Sequence, residues 1–181
     1  GPDWTVSGED EMLSEMRYAL AYAQGEIKGS VESPLVTPER LWKMATSDGA
    51  EVLDFDGTRP GLEGRIGKLQ NGYRADISVF AASGSDPYQA LLNSRAPDVR
   101  LVMIDGAVFY GDENLREATA RNDYCEDFDA CGTPKFICVQ DSPSAGNRRN
   151  ETLAGIRSQL EDILAGYGRE DNLLELVDCG Y

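Results

Sequence analysis

The chain contains no histidine. Without imidazole it cannot assemble a Ser-His-Asp triad, a Cys-His pair or a His-rich zinc site. Chemistry performed by this chain alone therefore rests on carboxylates, hydroxyls, thiols or lysine amines. The four cysteines, Cys125, Cys131, Cys138 and Cys179, all lie in the last third of the chain. None forms a C-x-x-C pair, which argues against a structural zinc. An even number of cysteines confined to one region points to disulfides, with three pairings open. The expected arrangement is a short loop, Cys125–Cys131, and a long one, Cys138–Cys179. The longer bridge would pin the tail to a strand and restrict the unfolded chain more. Disulfides imply an oxidising compartment, periplasmic or secreted; four buried thiols in a cytoplasmic protein are the alternative.

Charge narrows the partners. Lys plus Arg number 17 and Asp plus Glu 32, a formal net charge of −15 over 181 residues. Such a surface repels phosphate backbones and anionic membrane faces, so neither nucleic acid nor membrane is an expected partner. No stretch approaches the roughly 18 consecutive apolar residues of a membrane span. The length corresponds to one domain or two small ones, large enough to bury a core without disulfides. Gly1-Pro2 is neither an initiating Met nor part of a signal-peptide pattern. It reads as a protease scar, or as the start of a piece of a longer protein.

The elements that would position any site follow from periodicity. Residues 9–24 read as a helix with Ser7 or Glu9 near its start and Leu13, Met16, Leu20 and Ala23 on one stripe. Thr37-Pro38-Glu39 is a capped helix start, with Leu41, Met44 and Ala45 expected inward and a second short helical piece at 50–53. Residues 54–64 are loop. From residue 65 the period falls to two, suggesting extended chain over 66–69, a turn at Asn71-Gly72 and a strand at 75–80. Asp86-Pro87 starts a short helix through Leu92. Strands at 99–104 and 107–110 flank Asp105-Gly106, a strong hairpin signal. Residues 112–121 are read as helical, 135–140 as a strand, 141–150 as a polar loop. An amphipathic helix at 151–165 is expected to be capped by Asn150, with Leu153, Ile156, Leu160, Ile163 and Leu164 as its stripe.

Three stretches, in order, resemble the C-terminal part of the metal-dependent amidohydrolase superfamily, near its imidazolonepropionase-like, cyclic amidohydrolase and deaminase relatives. They are Thr37–Leu53 (TPERLWKMATSDGAEVL), Ile66–Phe80 (IGKLQNGYRADISVF) and Asp86–Tyr110 with its Asp-Pro-Tyr helix and closing hairpin. The resemblance covers roughly residues 1–112 and does not extend to the Cys-bearing tail. Within these stretches Gly67 and Gly72 are expected to supply backbone that other residues would resist, and Asp76 to be architectural.

The resemblance implies an α/β fold. Residues 1–60 would be the last strand-helix portion of a (β/α)8 TIM barrel. Residues 61–112 would be the C-terminal half of a composite β-sandwich domain, and 113–181 an added helical, Cys-containing extension. It also implies that Asp3, in Gly1-Pro2-Asp3-Trp4-Thr5, stands at the C-terminal edge of the eighth barrel strand. There it serves as a metal-site carboxylate and general base, with Trp4, Thr5 and Ser7 as substrate contacts over the pocket. The superfamily's histidine ligands are absent from this chain. The implied protein is thus a C-terminal portion, inactive alone, of an enzyme that hydrolyses C–N bonds (amide, cyclic amide or amidine) in a small molecule. That enzyme would carry a divalent metal, zinc by the resemblance. The remaining N-terminal part or a homo-oligomer partner would cover its open sheet. The alternative is a non-catalytic, secreted, acidic structural or binding module that keeps only the ancestry.

Overall fold

The structure is a computed structural model that describes residues 11–57, 65–81, 83–119, 122–140, 150–169, 173, 176–177 and 179. The chain groups into two compact units, residues 1–76 with 80–94 and residues 77–79 with 95–181.

The first unit is helical. Helix α1 (Met12–Ala23) buries Met16, Leu20 and Ala23, the stripe that its spacing predicts. Helix α2 (Pro38–Ala45) begins as expected: Thr37 accepts from the Arg40 N–H at 3.2 Å and Pro38 takes the first turn. Helix α4 (Pro87–Asn93) starts in the same way, with Asp86 accepting from the N–H groups of Tyr88 and Gln89. Met16, Leu20, Leu41 and Leu92 form the core, with Leu13, Ala19, Val36 and Trp42 packed against it. Met44 and Ala45 are exposed, contrary to expectation. Trp42 takes the inner position because its ring meets that of Tyr88 on α4, centroids 5.4 Å apart.

Helix α3 (Ser47–Val52) starts three residues earlier than expected. Residues 66–69 form no strand. Gly67 sits at φ +86°, where extended chain cannot continue, and a Cβ there would lie 2.6 Å from the Ala50 Cβ on α3. The segment instead closes on itself through Arg74 N–H to Arg65 O at 2.7 Å, and is tied back by Tyr73 Oη donating to Asp56 O. The loop around Pro60, Gly61 and Gly64 lies outside the described residues.

The second unit is built on a five-stranded sheet of order β1-β2-β3-β5-β4. Its strands are β1 (Ile77–Phe80), β2 (Val99–Ile104), β3 (Ala107–Asp112), β4 (Glu126–Ala130) and β5 (Thr133–Ile137). The β2–β3, β3–β5 and β4–β5 pairs are antiparallel. The β2–β3 hairpin turns through Asp105-Gly106, both at positive φ, as their residue types predict. Residues 113–118 form a 3-10 helix rather than a longer one. Helix α5 (Leu153–Gly166) is capped by Thr152, not Asn150: Thr152 Oγ1 accepts from Gly155 N–H at 3.0 Å. Its stripe is not buried, and Leu160 and Ile163 are exposed. Among the described residues no helix is long and apolar enough to cross a membrane.

Candidate functional site

Asp3, Trp4, Thr5 and Ser7 lie outside the described residues. No group of three or more His, Cys, Asp or Glu side chains able to hold a metal ion occurs among the described residues. All four cysteines are in disulfides and take no metal. The described side chains therefore do not fit a resident metal, and no chemical step through one follows from them.

The disulfide pairing differs from the expected one. Cys125 is joined to Cys138, and Cys131 to Cys179. The hairpin explains this. Glu126 opposes Ile137 and Ala130 opposes Thr133, so Cys125 and Cys138 face each other across the open end of the ladder. Cys131 stands in the two-residue turn at the far end. The extended strand β4 separates Cys125 from Cys131 by about 3.3 Å per residue, far beyond the 7 Å limit for a bridged pair.

The sheet assembles a charged cluster that residue spacing did not announce. Lys135 on β5 is 1% exposed. Its Nζ donates to Pro97 O and Val99 O, each at 2.8 Å, and to Asp112 Oδ1 on β3. Asp112 Oδ2 accepts from Arg100 Nη1 at 2.7 Å. Burial alone would raise the Asp112 carboxyl. Hydrogen bonds from Lys135 and Arg100 outweigh it and hold the carboxyl below its ordinary value. All three ammonium donors of Lys135 are used, so the amine offers no free lone pair and no spare donor. The cluster is a clamp joining β2, β3 and β5, not a nucleophile. The one signal in the sequence was a lysine heading the apolar run of KFICV.

A second cation braces the same sheet. Arg116 donates to Cys125 O, Glu113 and Asp127, and its guanidinium lies 5.7 Å from the Phe136 ring centroid. Phe136 is fully buried and stands so close to Gly111 that a Cβ there would lie 3.1 Å from its ring. Tyr110 meets Phe128 edge-on. Its hydroxyl is pushed up to about 12 by burial, with Asp112 and Asp129 adding to the effect.

The motif stretches thus have a structural account. Thr37-Pro38-Glu39 and Asp86-Pro87-Tyr88 start two helices of one core, Gly67 lets a loop touch α3, and Asp105-Gly106 turns the closing hairpin.

Residues 5–109 match the profile of the Amidohydrolase family. Two similar proteins are 5-methylthioadenosine/S-adenosylhomocysteine deaminases. That of Desulfitobacterium hafniense is 33% identical over 123 residues, covering 64% of this chain and 26% of the relative. That of Desulforudis audaxviator is 38% identical over 117 residues, covering 60% and 25%. The chain spans about a quarter of the length of these curated relatives. No solved structure matches it. With more than half of its residues matched, and with its helix starts, glycine contact and closing hairpin formed where the motifs stand, the chain belongs to the amidohydrolase family.

Proposed function

We propose that this chain is the C-terminal portion of a metal-dependent amidohydrolase that hydrolyses a C–N bond in a small molecule. Among amides, cyclic amides and amidines, the relatives' names favour an amidine, as in deamination of an adenosine derivative. The observation that carries this reading is the family match over residues 5–109, beside deaminase relatives of which the chain spans about a quarter.

In this reading residues 1–60 complete a (β/α)8 barrel, 61–112 contribute to a composite β-sandwich, and 113–181 are an extension that joins the same sheet. Asp3 stands at the barrel's C-terminal edge and accepts the proton lost by the attacking water, a role suited to an anionic carboxylate. Trp4, Thr5 and Ser7 contact the substrate. The complete enzyme holds a divalent metal, zinc, on imidazoles outside this chain. The N-terminal remainder of the enzyme, or a second copy of the chain, covers the apolar surface left exposed here. Two disulfides using all four cysteines support maturation in an oxidising compartment, periplasmic or secreted.

The test is Asp3→Asn in the metal-loaded enzyme that contains this chain. Turnover of an adenosine-type substrate falls by orders of magnitude while the melting curve stays in place. Near-normal turnover removes Asp3 from the site. An enzyme that hydrolyses no C–N substrate favours the non-catalytic acidic module instead.

A further inference from the structure

The β4–β5 hairpin holds the C-terminal region at two points. At its open end the Glu126 carboxylate accepts from the N–H groups of Leu153, at 2.6 Å, and Ala154, at 3.3 Å, in the first turn of α5. At its tip Cys131 is bridged to Cys179, beyond the far end of α5. Helix α5 buries none of its residues, and after Gly166 the described residues form no helix or strand. Two tethers therefore join this region to the hairpin.

The two bridges sit in different surroundings. Cys138 is fully buried and Cys125 partly buried, so that bridge has no exposed cysteine, and the Cys138 N–H donates to Phe109 O at 2.7 Å. The adjoining pair Glu126 and Ile137 keeps Cys125 opposite Cys138 through the backbone ladder, whether or not their sulfurs are joined. Cys131 is only partly buried and adopts φ +55°, the left-handed region that a residue with a Cβ resists. Its partner Cys179 is exposed. Access to sulfur controls thiol–disulfide exchange.

We infer that the Cys131–Cys179 bridge is a redox clasp, opened selectively by a dithiol, that releases the tail beyond α5 while the Cys125–Cys138 bridge and the hairpin persist. One thiolate of the dithiol attacks the exposed Cys179 Sγ. The S–S bond breaks, and Cys131 leaves as a thiolate that takes a proton from water. The dithiol's second thiolate then attacks the dithiol sulfur of the mixed disulfide and expels the Cys179 thiolate, which is also protonated. The protein disulfide gains two electrons and two protons, and the dithiol becomes a cyclic disulfide.

The experiment treats the full chain with limiting dithiothreitol, quenches with iodoacetamide at intervals and maps the labelled peptides by mass spectrometry. Cys131 and Cys179 acquire label faster than Cys125 and Cys138, on the order of tenfold. Far-ultraviolet circular dichroism stays unchanged, and protease cleavage between Tyr167 and Cys179 accelerates several-fold. Equal labelling, or earlier labelling of Cys125 and Cys138, overturns the selectivity. Selective opening without faster tail cleavage overturns the clasp. A double variant, Cys131→Ser with Cys179→Ser, gives the released-tail cleavage rate without reductant and keeps the native spectrum. Either a wild-type cleavage rate or loss of the folded spectrum in that variant also overturns the inference.

Discussion

Asp112 and Lys135, on neighbouring strands β3 and β5, form an ion pair whose ammonium is wholly withdrawn from water. Pro97 and Val99 carbonyls complete its shell, so each donor of the buried cation has an acceptor. Through the Val99 carbonyl this pair ties the start of β2 to β3 and β5.

Removing one partner of such a pair leaves the other charge and two carbonyls short of a donor. Lys135→Met should lower unfolding free energy by about 3 kcal/mol. Urea denaturation at neutral pH measures it, and a loss below about 1 kcal/mol would show that water replaces the amine easily.

The depressed Asp112 carboxyl sets a pH window. A carboxylate whose folded value lies below its ordinary 3.8 stabilises the fold fully above that value. That contribution is lost as pH falls through the lower folded value, because protonation then breaks both ion pairs. Urea midpoints measured from neutral pH down to about pH 2 should fall steeply at the acid end. Asp112→Asn should flatten that limb while lowering stability near neutrality. An unchanged acid limb would show that other carboxylates control it.

Gly67 and Gly72 separate two glycine effects. Both have φ near +85°, but only Gly67 faces a close neighbour, the Ala50 Cβ. Gly72→Ala should cost about 1 kcal/mol, from its backbone alone. Gly67→Ala should cost about 2–4 kcal/mol, because α3 must also shift. Thermal melts of the two variants decide it, and equal losses would remove the packing contribution.

Glu126 acts as a cap borrowed from another element. Glu126→Ala should cost about 1 kcal/mol and speed amide exchange at Leu153 and Ala154, with little change in the middle of α5. Thr152→Ala provides the comparison, since it should affect Gly155 instead. If Glu126→Ala leaves exchange at Leu153 unchanged, the carboxylate is not the cap.

The zinc reading has its own measurement. If the zinc ligands are imidazoles in the rest of the enzyme, as proposed, the dialysed chain should retain far less than one zinc per molecule. Stoichiometric, tightly held zinc in elemental analysis would mean that carboxylates of this chain make a site of their own.

The helix starts at Thr37-Pro38 and Asp86-Pro87 were legible because their bonds span three residues or fewer. The Asp105-Gly106 turn was legible for the same reason. Strand β4 was not: Glu126–Ala130 carries three acids among five residues and extends only because β5 pairs with it. Its turn, Cys131-Gly132, places a cysteine at positive φ, which residue type does not signal. Asn150 is by residue type a better cap than Thr152, so local preference pointed to the wrong residue and the fold selects Thr152.

Local chemistry therefore determined the helix starts, the tight turns, the apolar stripe of α1, the exclusion of imidazole catalysis and the family motifs. Tertiary structure decided which cysteines meet, where Lys135 finds its acceptors and which face of α2 turns inward. These depend on strand register and on helices brought together from distant positions, and a contact between residues far apart leaves no periodic trace along the chain.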